Sequence, residues 1–204
     1  PQAMDSWERF IHEKSPDRLV QLALLHAEFE AIHPFLDGNG RLGRMLVPLF
    51  LQHAGVLSQP VFYVSAYLES HRDAYYERLL AVSRDNDWTG WCVFFLQALA
   101  AQAAENLEKA QGILRLHQRM LKEAPEWTHS QYAPFAVDFI FRNPVFRSSV
   151  FTRMPAIPGP TARRILSVFT ARGVVSMIRP SSGRRPATYA FRELLNIAEG
   201  RDVF

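Results

Sequence analysis

The sequence predicts a mainly α-helical protein in two parts, a larger helical part and a small one built as helix, helix and hairpin. Three observations predict it. Apolar residues recur at three- and four-residue spacing from Leu19 through most of the chain. The β-rich runs VVSMI and ATYAF are confined to the C-terminal region, on either side of the basic loop RPSSGRRP. The charge also changes sign: residues 1–128 hold 12 Lys and Arg against 16 Asp and Glu, whereas residues 129–204 hold 11 Arg, no Lys and 4 acids.

The elements follow in order. Leu19, Leu22, Ala23, Leu25, His26, Phe29 and Ile32 form one helical stripe, starting after Pro16-Asp17. That helix should stop at His33, because a residue before proline is pushed out of the α region. A second helix is expected from about Gly40 to Ala54, bent at Pro48 and closed by Gly55. A short helix and a longer one, from about Ser70 to Ser83, come next. After RDNDWTG a long amphipathic segment reads as one helix or two, with Gly112 its weak point. APEWTHSQYAP reads as a linker, giving domains 1–126 and 127–204. Beyond it, FAVDFIFRNP is a short helix and PTARRILSVFTARGVV a second, closed by Gly173. Helix, helix, hairpin is the order of a winged helix-turn-helix.

Composition bounds the function. Just under half of the 204 residues are apolar, enough for a sizeable core. No apolar run approaches the roughly 20 residues that span a bilayer, so no membrane role is expected. Cys92 is the single cysteine, which excludes an internal disulfide and a multi-cysteine metal site. A cytoplasmic home is expected. The chain begins at Pro1 without methionine, so a processed or truncated protein is also expected.

One segment calls for chemistry rather than packing: HPFLDGNGRLGR, from His33 to Arg44. His33 sits at a helix end, where a neutral imidazole can take a proton from a hydroxyl. Gly38, Asn39 and Gly40 precede a helix, so their amides can turn toward one anion, and Asn39 adds side-chain donors. Asp37 is a lone carboxylate beside them, suited to a Mg²⁺ bound mainly by phosphates. Arg41 and Arg44, three apart, share a helix face and can fork onto phosphate oxygens. Phe35 is expected to anchor the loop in the core. Singly, each feature is ordinary. Together they fit a triphosphate, a metal and an incoming hydroxyl, with in-line attack at phosphorus driven by positioning and charge neutralisation.

These residues resemble the Fic (Fic/Doc) family, whose signature His-Pro-Phe-x-Asp/Glu-Gly-Asn-Gly-Arg-x-x-Arg is matched at every specified position from His33 to Arg44. The resemblance extends through FEAIHPF, YLESHRDAYYERL and the helices after DNDWTGW, into a C-terminal region where many relatives carry a winged helix. It implies a Fic-type helical domain followed by a winged helix-turn-helix, acting as a protein adenylyltransferase. The reaction implied is transfer of AMP from ATP to a Ser, Thr or Tyr hydroxyl, releasing pyrophosphate. His33 then looks like the general base and Asp37 like the Mg²⁺ ligand. Gly38, Asn39 and Gly40 look like the anion hole around the α- and β-phosphates, with Arg41 on the phosphates and Arg44 on the γ-phosphate. Relatives that transfer phosphate itself tend to have lysine where this chain has Gly40. Tyr76 resembles a tyrosine that contacts adenosine, and by its chemistry could both stack and hydrogen-bond. Core packing is its other reading, with Tyr75 and Tyr76 splitting the roles. Ser83 stands where some relatives have asparagine.

Many relatives also carry an inhibitory helix, Ser/Thr-x-x-x-Glu-Gly/Asn, whose glutamate pairs with the second motif arginine. LNIAEG, AQAAEN and SAYLES each fail that pattern. The inhibitory helix and the flap that aligns target peptides are therefore expected upstream of Pro1. The partners implied are ATP, a target protein with an accessible hydroxyl (the chain itself included) and, through the winged helix, DNA. Arg163 and Arg164 would meet bases, while Arg179, Arg184 and Arg185 would meet phosphates. A homodimer is compatible with all of this. Two rival readings stay open: a DNA-binding regulator whose Fic domain senses nucleotide, or a Fic enzyme that removes AMP or uses another nucleotide.

Overall fold

A computed structural model describes residues 2–203 of the chain. They form ten helices and a three-stranded sheet, divided into two compact units, Pro1–Asn106 and Leu107–Phe204. The sequence places its boundary between residues 126 and 127. The compact units divide earlier, inside a single helix.

The first unit is all helical. Helix α1 (Gln2–His12) lays Trp7, Phe10 and Ile11 on the unit's core, and the Trp7 indole donates to the Leu25 carbonyl at 2.8 Å. Helix α2 (Arg18–Ile32) starts where Asp17 accepts from the amides of Leu19 (2.8 Å) and Val20 (3.1 Å), a side-chain N-cap worth about 1 kcal/mol. Helix α3 (Asn39–His53) contains Pro48 and closes at Ala54, with Gly55 at φ +73°. Helices α4 (Ser65–Ser70) and α5 (Arg72–Asp85) follow, then α6 (Trp88–Thr128), which runs unbroken for 41 residues. Leu22, Leu25 and Phe29 of α2 meet Val47, Phe50 and Leu51 of α3 and Trp91 and Phe95 of α6 in the core. Complete burial of one such side chain is worth about 1.5–3 kcal/mol.

APEWTHSQYAP is not a linker, since α6 continues through Pro125 to Thr128. Packing overrides the missing amide. Leu116, Met120 and Ala124 are buried in the second unit's core, and Trp127 packs against it. The Thr128 hydroxyl donates to the Ala124 carbonyl at 2.7 Å. Gly112 is no break either. A Cβ there would meet the Ile197 side chain at 3.0 Å, so glycine makes room for close packing.

In the second unit, α7 (Ala133–Arg142) is followed by β1 (Val145–Arg147), α8 (Ser148–Thr152), α9 (Gly159–Ala171), β2 (Ser176–Arg179), β3 (Thr188–Ala190) and α10 (Arg192–Glu199). The sheet is antiparallel in the order β1-β3-β2, with Tyr189 opposite both Phe146 and Met177. Phe151, Ile165, Phe169 and Phe191 fill the core beneath it. The sequence shows α7, α9 and the hairpin, but β1 and α8 are too short to leave a period. Among the described residues no helix is long and apolar enough to cross a membrane.

Candidate active site

Helix α2 ends as the sequence requires. The His33 amide makes the last helical bond, to the Phe29 carbonyl at 3.1 Å, and His33 turns into the left-handed region at φ 49°, ψ 57°. Pro34 bars it from the α conformation. The ring is exposed, and its Nδ1 lies 3.3 Å from the Glu30 carbonyl, a long contact that leaves the imidazole available.

The loop is closed by its own polar groups rather than by an aromatic anchor. Asn39 is 2% exposed. Its Oδ1 accepts from the Phe35 amide at 2.9 Å and its Nδ2 donates to the Phe35 carbonyl at 2.6 Å. The expectation that the Phe35 ring anchors the loop in the core is thus corrected. The ring is 52% exposed, and only the main chain of Phe35 is held. The expectation of Asn39 side-chain donors is corrected too, because the carboxamide is occupied within the loop. What Asn39 leaves for a ligand is its main-chain N–H.

That N–H belongs to a set. Gly38 precedes α3 at φ +86°, and no side chain caps the helix. Leu42 N–H to the Gly38 carbonyl, at 3.0 Å, is the first helical bond, so Asn39, Gly40 and Arg41 have no acceptor within the helix. Among the described residues these three amides have no acceptor, and at the positive end of a 15-residue helix they can receive an anion. The Gly38 N–H is spent on Asp37 Oδ1 at 2.7 Å.

Both arginines return to this first turn. The Arg41 guanidinium would lie 3.5 Å from a Cβ on Gly38, and the half-buried Arg44 brings Nη1 to 3.3 Å from a Cβ on Gly40. Arg41 pairs with Asp37 at 3.4 Å, an exposed pair worth at most about 1 kcal/mol and easily exchanged for a phosphate. Among the described residues no three His, Cys, Asp or Glu side chains converge on a cation. One exposed carboxylate beside an anion site suits Mg²⁺, which takes its remaining ligands from phosphate and water.

Tyr75 and Tyr76 part ways. Tyr75 is buried, its hydroxyl 3.0 Å from His26 Nε2. Tyr76 is 55% exposed under the Arg72 guanidinium, 5.6 Å from its ring centre. It lines a cleft of about 410 Å³ with Ser83, Leu80 and Trp88, and with Glu30 and Ala31 of the last turn of α2. Sequence reasoning missed Glu30 and His26. Burial pushes the Glu30 carboxyl up, against the pull of Arg44 and His33, and pushes the His26 imidazole down to about 4. The signal lay in the spacing, for His26 and Glu30 sit four apart on the buried stripe of α2.

The helical unit thus sets the first turn of α3 close in sequence to an exposed histidine at the end of α2. Residues 1–51 match the sequence model of the Fic/DOC family. A probable protein adenylyltransferase of Aquifex aeolicus is 38% identical over 69 residues, 34% of this chain and 21% of that protein. A Fido domain-containing protein of Dictyostelium discoideum is 48% identical over 71 residues, 32% of this chain and 48% of that protein. Protein adenylyltransferase Fic of Drosophila ananassae is 39% identical over 54 residues, 26% and 11% of the two chains. The chain spans less than half the length of each of these relatives. The crystal structure of a Fic family protein from Desulfovibrio desulfuricans superposes with a TM-score of 0.51 over 94% of this chain and 54% of that one, at 23% identity, a likeness of fold. The superposition shows a Fic-type fold.

Proposed function

We propose that the protein transfers AMP from ATP to a Ser, Thr or Tyr hydroxyl of a target protein, the chain itself being one candidate target. The observation that carries this reading is the pairing of an exposed His33, at the left-handed end of α2, with the free amides that open α3 at the other end of one closed loop. The triphosphate would lie on the amides of Asn39, Gly40 and Arg41, with the guanidinia of Arg41 and Arg44 on its outer oxygens. The adenosine would enter the cleft beside Tyr76. His33 takes the proton of the target hydroxyl as its oxygen bonds to the α-phosphorus. The bond from that phosphorus to the β-bridging oxygen then breaks and pyrophosphate leaves. Asp37 would hold Mg²⁺, which supplies charge neutralisation on the phosphates.

Intact mass spectrometry after incubation with ATP and Mg²⁺ tests the proposal. One adenylyl group should appear on the chain or on an added protein. His33→Asn, which tolerates the left-handed backbone, should lower transfer by 10²-fold or more at unchanged thermal stability. Transfer that survives the change removes His33 as base. Loss of AMP from a modified protein would instead select the reverse reaction.

We also infer that the second unit is a winged helix, with the β2–β3 loop as its wing. The order α7-β1-α8-α9-β2-β3 and the strand order β1-β3-β2 support the reading.

A further inference from the structure

We propose that the face of the second unit made by α9 and the β2–β3 loop docks duplex DNA through its phosphate backbone. The proposal rests on the winged-helix reading and not on the transfer reaction.

Helix α9 contains no acidic residue. Ala162, Ile165, Leu166 and Phe169 form its buried stripe. Its outward stripe is Pro160, Arg163, Ser167 and Ala171, spaced three, four and four apart and all exposed. Three of these are small, and Arg163 is the one long side chain among them. A helix shaped so can lie into a groove about 12 Å wide without its own side chains holding it off. The cleft beside it is lined by Ser148, Thr152, Arg163, Ser167 and Tyr189, so hydroxyl donors surround a guanidinium. Hydroxyl and guanidinium donors are the usual partners of phosphate oxygens.

The loop adds a second point of contact. Ser182 and Arg185 exchange main-chain hydrogen bonds, 3.1 and 2.9 Å, and Gly183 takes φ +54°. The loop is therefore tied into a tight turn that holds Arg184 at its tip and Arg185 beside it, both exposed, with exposed Arg179 at its base. Among the described residues, none of Arg163, Arg179, Arg184 and Arg185 is paired with a carboxylate.

Several other charged groups of the unit are engaged by partners of their own. Arg164, expected at the bases, instead donates to the Thr128 carbonyl at 2.6 Å and closes the end of α6. Arg172 stacks over Trp127. Asp138 faces His117 at 3.0 Å, and Glu193 pairs with Arg119 at 2.6 Å. Asp202 accepts from Asn196. The acids after residue 128 lie on α7, on α10 and after it, and none lies on α9 or in the β2–β3 loop.

Fluorescence anisotropy of the whole chain with a labelled random-sequence duplex tests the proposal. Binding should be present at 50 mM KCl and weaken steeply by 200 mM, with log K falling about threefold to fourfold as fast as log salt for four phosphate contacts. Arg184→Ala with Arg185→Ala should cost about tenfold or more and lower the salt slope by roughly two. Replacement of the same pair by lysine should restore most of the binding. Arg115→Ala, off this face, should change nothing. Absence of duplex binding at low salt overturns the proposal. So does binding that ignores the loop arginines, or loop-dependent binding to anionic vesicles or to an acidic protein with none to duplex.

Discussion

Glu30 and Gly43 compete for one space between α2 and α3. A Cβ on Gly43 would fall inside contact distance of the Glu30 carboxylate oxygen Oε1. That oxygen is buried and has no hydrogen-bond partner among the described residues, although Tyr75 and Arg44 lie near enough to act on its charge. The glycine inside the motif segment RLGR thus makes room for a carboxylate behind the anion site.

Gly43→Ala sets two effects against each other. Helix propensity favours alanine by about 1 kcal/mol. Overpacking a buried site costs about 1–3 kcal/mol, and the Glu30 side chain, only 12% exposed, has little freedom to swing away. The net should be a loss of about 1 kcal/mol and a lower Tm, removed when Glu30→Ala is added. A Tm at or above the parent's in calorimetry would show that the carboxylate yields.

Stability should depend on pH through His26. Burial holds its imidazole at about 4 against an ordinary 6.5, so the unfolded chain binds the proton first as pH falls. The contribution is complete above pH 6.5, is lost as pH drops toward 4, and amounts to about 3 kcal/mol. Glu30 works in the opposite sense. Its raised carboxyl favours the folded state at low pH, an advantage lost as pH rises through the folded value. Urea titrations at pH 7.5 and 4.5 should show a net loss in the parent. His26→Gln should flatten the curve, and Glu30→Gln should steepen the acid loss.

Tyr75→Phe and Tyr76→Ala should separate fold from ligand. The first removes the hydroxyl that meets His26 Nε2 at 3.0 Å and leaves a buried ring nitrogen without a partner, at about 1–3 kcal/mol. The second changes a half-exposed ring on a cleft wall. Its Tm should stay within a degree or so, while ATP affinity by calorimetric titration falls roughly tenfold. Equal affinities for the parent and Tyr76→Ala would take the ring out of the nucleoside site.

How much was legible follows from what writes itself into sequence. The apolar period announces α2, α3 and α9, and Pro34 with Gly38 punctuates the loop between His33 and Asn39. Helix α6 ran past its apparent stop because burial of Met120 and Ala124 outweighs Pro125, a tertiary effect with no local mark. The three residues of β1 and five of α8 are shorter than any period can report. Residue chemistry suggested that Asn39 would face a phosphate and Phe35 the core. The fold instead buries the Asn39 carboxamide on the Phe35 main chain and leaves the Phe35 ring exposed, because a carboxamide carries both a donor and an acceptor for one neighbour's main-chain groups. Glu30 stayed hidden because an acid at a buried position looks, in sequence, like one on a solvated face.

Asn39 therefore tests whether the loop's closure is what makes the anion site. Asn39→Ala removes the bonds to both main-chain groups of Phe35 without touching the amides that open α3. Water can reach the exposed Phe35, so the stability loss should stay near 1–2 kcal/mol. The loop between His33 and α3 should loosen, and ATP affinity should fall several-fold while the main-chain donors remain. Asn39→Asp keeps the acceptor for the Phe35 amide but sets a carboxylate oxygen against the Phe35 carbonyl and places negative charge at the helix start. It should bind ATP more weakly still, and the deficit should shrink as pH is lowered through the carboxylate range. Calorimetric titration of ATP into the three chains at pH 7.5 and 5 checks the order. If Asn39→Ala binds as tightly as the parent, the amides hold their places without the loop, and its closure serves stability alone.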